Sequence, residues 1–77
     1  MDWDEEIDAT GLRCPLPVLR ARRRLAAMPP GAVLRLLTDD PAAAVDVPHF
    51  CAEAGHRLVA ETDLGHPFRA WLLQKGD

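Results

Sequence analysis

The 77-residue chain has little cysteine, no long apolar run and no excess of basic charge. Two cysteines, Cys14 and Cys51, are too few for the disulfide framework of a small secreted domain. They point instead to free thiols in a reducing compartment. Residues 1–8 are acidic and no apolar h-region follows, so no signal peptide is expected. No apolar stretch approaches the ~20 residues needed to cross a bilayer. These absences favour a cytoplasmic protein with no membrane partner. The formal net charge of −3, from 12 acidic and 9 basic residues, argues against direct nucleic-acid binding. No spacing matches a zinc motif, no Gly-rich phosphate loop is present, and no Ser-His-Asp or Cys-His arrangement follows from spacing. No metal and no cofactor is therefore expected. Repeats, linkers and low-complexity tracts are also missing, so residues 1–77 are expected to form one small domain. A hydrophobic content of 48% suffices for a modest core, but leaves little room for a deep pocket.

What is present reads as β-α-β-α-β-β. A short strand spans 5–9, with Ile7 and Ala9 facing inward, and Thr10-Gly11 turns the chain. Val18, Ala21, Leu25 and Met28 recur at helical spacing, widened by Leu19 and Ala26, and predict a helix over 15–28. Pro29-Pro30-Gly31 ends it. A second strand spans 32–38. Asp40 as N-cap and Pro41 at the first position open a second helix. Pro48 is expected to break or kink it, and Gly55 suits its C-terminal cap. Strands over 57–62 and 68–74 flank a turn at Leu64-Gly65-His66-Pro67 and form an antiparallel hairpin. The fold class is an α+β two-layer sandwich: a four-stranded mixed sheet with both helices on one face. Its opening β-α-β unit is a right-handed parallel crossover. Alternation places Leu34, Leu36, Leu58, Ala60, Phe68, Ala70 and Leu72 towards the helices. It leaves Arg35, Glu61 and Arg69 on the open face, with Val33, Val59, Trp71 and Leu73.

Cys14 lies in the run Gly11-Leu12-Arg13-Cys14-Pro15-Leu16-Pro17. The run sets a thiol at a helix entrance, where partial positive charge favours a thiolate. Arg13 is expected to add to that effect. Pro15 and Pro17 stiffen the presenting loop and remove two backbone donors. That leaves the N–H groups of Leu16 and Val18 as candidates to face the sulfur. Either Pro15 or Pro17 could be the first helical residue. The alternative for Cys14 is a buried, inert thiol. Cys51 reads as a core thiol on the face of Ala44, Val47 and Ala54, with a resolving role for Cys14 as the other reading. Arg20, Arg23 and Arg24 lie off the apolar stripe of the first helix. They form either a solvated face or an electrostatic docking surface for an acidic protein partner.

The segment Asp8-Ala9-Thr10-Gly11-Leu12-Arg13-Cys14-Pro15-Leu16-Pro17 resembles the signature of the TusA, or SirA-like, family of sulfur carriers. A second block is similar as well: Thr38-Asp39-Asp40-Pro41 through Asp46-Val47-Pro48-His49-Phe50-Cys51, then Gly55-His56-Arg57-Leu58. The resemblance implies the same β-α-β-α-β-β sandwich and makes the proline in the second helix ordinary. It implies that Cys14 takes sulfane sulfur as a persulfide from a protein donor, such as a cysteine desulfurase or a rhodanese, and passes it to a protein acceptor. Arg13, Pro15, Leu16 and Pro17 would support the persulfide. The pathways it implies are tRNA thiolation, molybdenum cofactor maturation and sulfur oxidation. Such a chain is a carrier more than an enzyme. Phe50 stands where the family often has Trp, and the acidic N-terminus and Arg-rich helix are this chain's own. The rival expectation is a regulatory or scaffold module that binds a partner through the open sheet face.

Overall fold

A computed structural model describes residues 2–77. The elements follow in the order β1 (Glu5–Asp8), α1 (Leu16–Ala26), β2 (Val33–Thr38), α2 (Ala43–Ala54), β3 (Arg57–Asp63) and β4 (Arg69–Gln74). The sheet order is β1-β2-β4-β3, so the last strand is inserted between β2 and β3. β1 and β2 are parallel, and β4 is antiparallel to both of its neighbours. The α+β sandwich and the mixed four-stranded sheet are as expected from the sequence.

One core joins the layers. Ala21 and Leu25 of α1 and Ala43, Val47, Phe50 and Cys51 of α2 pack on Ile7, Leu34, Leu36, Trp71 and Leu73 of the sheet. The stripe on α1 is narrower than its sequence pattern suggests, because Leu19 and Ala26 are exposed. On α2 the buried face runs through Ala43, Val47, Phe50 and Cys51, and leaves Ala44 and Ala54 in solvent.

Two expectations are corrected. First, α2 continues through Pro48 without a break. The ring removes one donor and frees the carbonyl of Ala44. Ala44 is exposed, so water can satisfy that carbonyl while Val47, Phe50 and Cys51 anchor the helix. Gly55 ends it in the left-handed conformation, with φ 78°, and the His56 N–H reaches back to the Cys51 carbonyl at 2.9 Å.

Second, β4 presents the opposite face from the one assigned by alternation. Leu36 pairs with Trp71 and Leu34 with Leu73, which turns Trp71 and Leu73 onto the helix side. Both are 0% exposed. Ala70 and Leu72 take the open face beside Leu37 and Arg35. Phe68 lies outside the strand and is 45% exposed. Apolar residues occupy both faces of Ala70-Trp71-Leu72-Leu73, so alternation cannot choose between two registers one residue apart. The indole decides it: Trp71 Nε1 donates to Thr38 Oγ1 at 2.9 Å inside the core. Arg69 still pairs with Glu61, but on the helix side, whereas Arg35 pairs with Glu6 at 2.9 Å and stacks on the Trp3 ring at 4.4 Å. The apolar area foreseen on the open face is thereby reduced, because its two largest contributors are in the core.

Candidate functional site

The end of β2 organises the loop that carries Cys14. Asp39 Oδ1 accepts the Gly11 N–H at 2.9 Å and the Arg13 guanidinium at 3.2 Å. Asp40 Oδ2 accepts the Cys14 N–H at 2.7 Å, and its Oδ1 accepts the Ala42 N–H at 3.1 Å. Two adjacent carboxylates thus tie the cysteine loop to the entrance of α2. Asp40 and Pro41 are not the N-cap and first residue expected of them: the N-cap position is Ala42 and α2 begins at Ala43, with Asp40 holding the Ala42 N–H in the turn before it. The second task of Asp40, holding the backbone of Cys14, was not foreseen.

The bonds from Cys14 and Ala42, with the nearby Arg13 charge, hold the Asp40 carboxyl below its ordinary value. A depressed carboxyl pKa means that these bonds contribute above the ordinary value and are lost as pH falls through the lowered one. The expected result is that the Cys14 amide keeps its protection factor against hydrogen exchange at neutral pH and loses it only once the pH falls below the ordinary carboxyl range, measured against the intrinsic exchange rate at each pH. Exchange followed by NMR across an acid titration checks this.

The thiol of Cys14 is exposed and free. α1 starts at Leu16, with Pro15 as its N-cap residue and Pro17 in its first turn. Pro17 is buried, while Leu16 is 47% exposed. The Leu16 N–H donates to the Arg13 carbonyl at 2.8 Å, so it is engaged away from the sulfur. Arg13 itself is bonded to Asp39. The expected thiolate is therefore not what the surroundings favour. The Cys14 thiol is pushed up, first by hydrogen bonding to the Asp46 carboxylate, then by desolvation, and then by the charges of Asp46 and Asp40. Negative charge disfavours a thiolate, so these carboxylates work against the helix end.

Asp46→Asn removes the largest of these causes. The variant is expected to alkylate faster at neutral pH, with its pH–rate profile displaced to lower pH. Iodoacetamide kinetics over a pH series read this directly, and a profile that does not move would show that Asp46 does not control the thiol.

Cys14 opens into a shallow cleft of about 190 Å³ between the helices, lined by Pro15, Val18 and Arg22 of the α1 side and Asp46, His49, Phe50 and Glu53 of α2. None of Arg22, Asp46, His49 and Glu53 is assigned to the site from the sequence, although Asp46 and His49 lie in the second block of the resemblance. Their signal was present: Cys14, Val18 and Arg22 recur every four residues, as do Asp46 and Phe50, and His49 and Glu53. The arginines that were singled out lie elsewhere. Arg20, Arg23 and Arg24 line a groove with Ile7 and Ala27, and Arg24 is tied to Glu5 at 3.0 Å. Arg20 and Arg23 also border a hollow with the exposed Leu16 and Leu19. Cys51 is buried, and burial pushes its thiol up to about 11. That fits a core residue and not a resolving thiol.

No helix among the described residues is long and apolar enough to cross a membrane. The family model described as sulfurtransferase TusA matches residues 5–73, which takes in every residue of the Cys14 cleft. Among solved structures, a SirA-like protein from Desulfitobacterium hafniense superposes with a TM-score of 0.83 at 24% identity, over 96% of this chain and 100% of that one. That likeness establishes a shared fold.

Proposed function

Because the chain belongs to the TusA family of sulfurtransferases, we propose that it is a cytoplasmic sulfur carrier whose Cys14 accepts sulfane sulfur as a persulfide from a protein donor and relays it to a protein acceptor. A cysteine desulfurase or a rhodanese-like protein is the donor class, and tRNA thiolation, molybdenum cofactor maturation or sulfur oxidation is the destination. The observation that carries this reading is an exposed thiol on a loop pinned by Asp39 and Asp40, beside an open cleft and not inside an enclosed pocket. A pre-ordered loop offers its sulfur to a partner without a large ordering cost. A persulfide is a stronger acid than a thiol, so the carboxylates that keep resting Cys14 protonated suppress it less once it is loaded. On α1, Leu16 and Leu19 are both 47% exposed and are flanked by Arg20 and Arg23. An apolar patch with a basic rim suits a protein partner with acidic residues around an apolar contact.

Incubation with a cysteine desulfurase and cysteine should add the mass of one sulfur atom at Cys14, found by peptide mapping. A wild-type chain left unmodified by desulfurase and rhodanese donors alike would overturn the reading.

A further inference from the structure

Opposite charges on the two walls of the Cys14 cleft enter no ion pair, although Asp46 also accepts a hydrogen bond from the Cys14 thiol. His49 and Glu53 satisfy each other at 2.9 Å. Among the described residues, Arg22 of α1 and Asp46 of α2 enter no ion pair, yet both line the cleft. Arg22 lies about two helical turns beyond Cys14. Helical side chains lean towards the N-terminus, which directs the guanidinium back along α1 past Val18. Phe50, only 7% exposed, and Val18 supply an apolar floor. The cleft holds about 190 Å³, below the ~300–1,000 Å³ of sites for drug-sized ligands. It is of a size for a molecule like a single amino acid.

We infer that this cleft binds a small zwitterionic α-amino-acid persulfide, with the carboxylate on Arg22, the ammonium on Asp46 and the outer sulfur facing Cys14, so that the carrier is loaded directly as well as by a protein. The inference rests on Cys14 being the persulfide site. Arg presents the fork that a carboxylate accepts, and Asp46 is the complementary group for an ammonium. The step balances as R–S–SH + Cys14–SH → Cys14–S–SH + R–SH. The Cys14 sulfur attacks the outer sulfur, a new S–S bond forms, the old one breaks, and the departing R–S⁻ takes the proton released by Cys14. No external oxidant is needed, because the sulfane sulfur moves with its oxidation state unchanged. The ligand also prepares the nucleophile. An ammonium seated on Asp46 offsets the charge that keeps the thiol protonated, so binding and activation are coupled.

The test compares cysteine persulfide with the persulfide of N-acetylcysteine methyl ester, which has the same reacting group and neither charge. Both are applied to the reduced full chain, and loading is read by intact mass. Wild type should show a saturable rate with cysteine persulfide and a linear, slower rate with the neutral probe. The ratio of the two rates cancels any general change in thiol reactivity, which matters for Asp46→Asn. In Arg22→Gln and in Asp46→Asn that ratio should fall about tenfold, as expected for loss of one charge-assisted hydrogen bond. A ratio near one in wild type, or one unchanged in both variants, overturns the inference. A parallel arm with desulfurase and rhodanese donors separates the failures. Enzymatic loading of Cys14 without charge preference leaves the carrier intact and removes only the small-molecule site, whereas no loading in either arm removes both.

Discussion

Cys14→Ala is expected to abolish sulfur uptake completely while leaving the fold unchanged. Both halves follow from geometry. The side chain is exposed, and the bond that fixes its position comes from its backbone N–H to Asp40, which alanine keeps. A surface substitution of this kind changes stability by about 0.5 kcal/mol or less. The only atom lost is the sulfur. Cys51→Ala should do the reverse. Its thiol is 2% exposed within the core, so its removal leaves a small void and costs about 1 kcal/mol, with loading at Cys14 retained. The pair of variants is read by intact mass after donor incubation and by urea denaturation. Loading lost in both would revive a two-thiol mechanism, against the burial that holds Cys51 protonated.

Much of this arrangement was legible in the sequence, and the failures have physical causes. The element order, the parallel β1–β2 pair and the β3–β4 hairpin follow from periodicity and turn residues. Gly55 was placed correctly because a left-handed cap has few other occupants. The face of β4 was not legible, because Ala70-Trp71-Leu72-Leu73 is apolar on both sides. The choice is made by Thr38, a residue 33 positions away that bonds to the indole. The electrostatics of Cys14 failed for a related reason. Local reasoning sees the helix end and Arg13, both within a few residues. It cannot see that Asp39 occupies Arg13, or that Asp40 and Asp46 raise the thiol from some thirty residues away. The cleft residues were hidden differently. Arg22 belongs to a run of arginines, and only the pairing of α1 with α2 separates it from Arg20, Arg23 and Arg24.

That same distant bond sets the last expectation. Trp71→Ala should remove a large share of the stability and lower the urea midpoint steeply, and Trp71→Phe should leave a folded chain with a loosened Cys14 loop. The indole is completely buried, and truncating such a side chain costs about 3–5 kcal/mol. At roughly 0.05–0.15 kcal/mol per residue, a chain of this size has on the order of 4–12 kcal/mol in all, so the truncation removes a large share. Phenylalanine keeps most of the packing but leaves the Thr38 hydroxyl without its donor in the core, at about 1–3 kcal/mol. Thr38 is the last residue of β2, and Asp39 and Asp40 follow it directly. Those carboxylates hold Gly11, Arg13 and Cys14. A disturbance at Trp71 therefore passes through Thr38 to the two anchors of the cysteine loop. In Trp71→Phe the urea midpoint should fall moderately, and the Cys14 amide should exchange faster by more than the drop in global stability explains. If its exchange follows global stability alone, the loop is not anchored through this route.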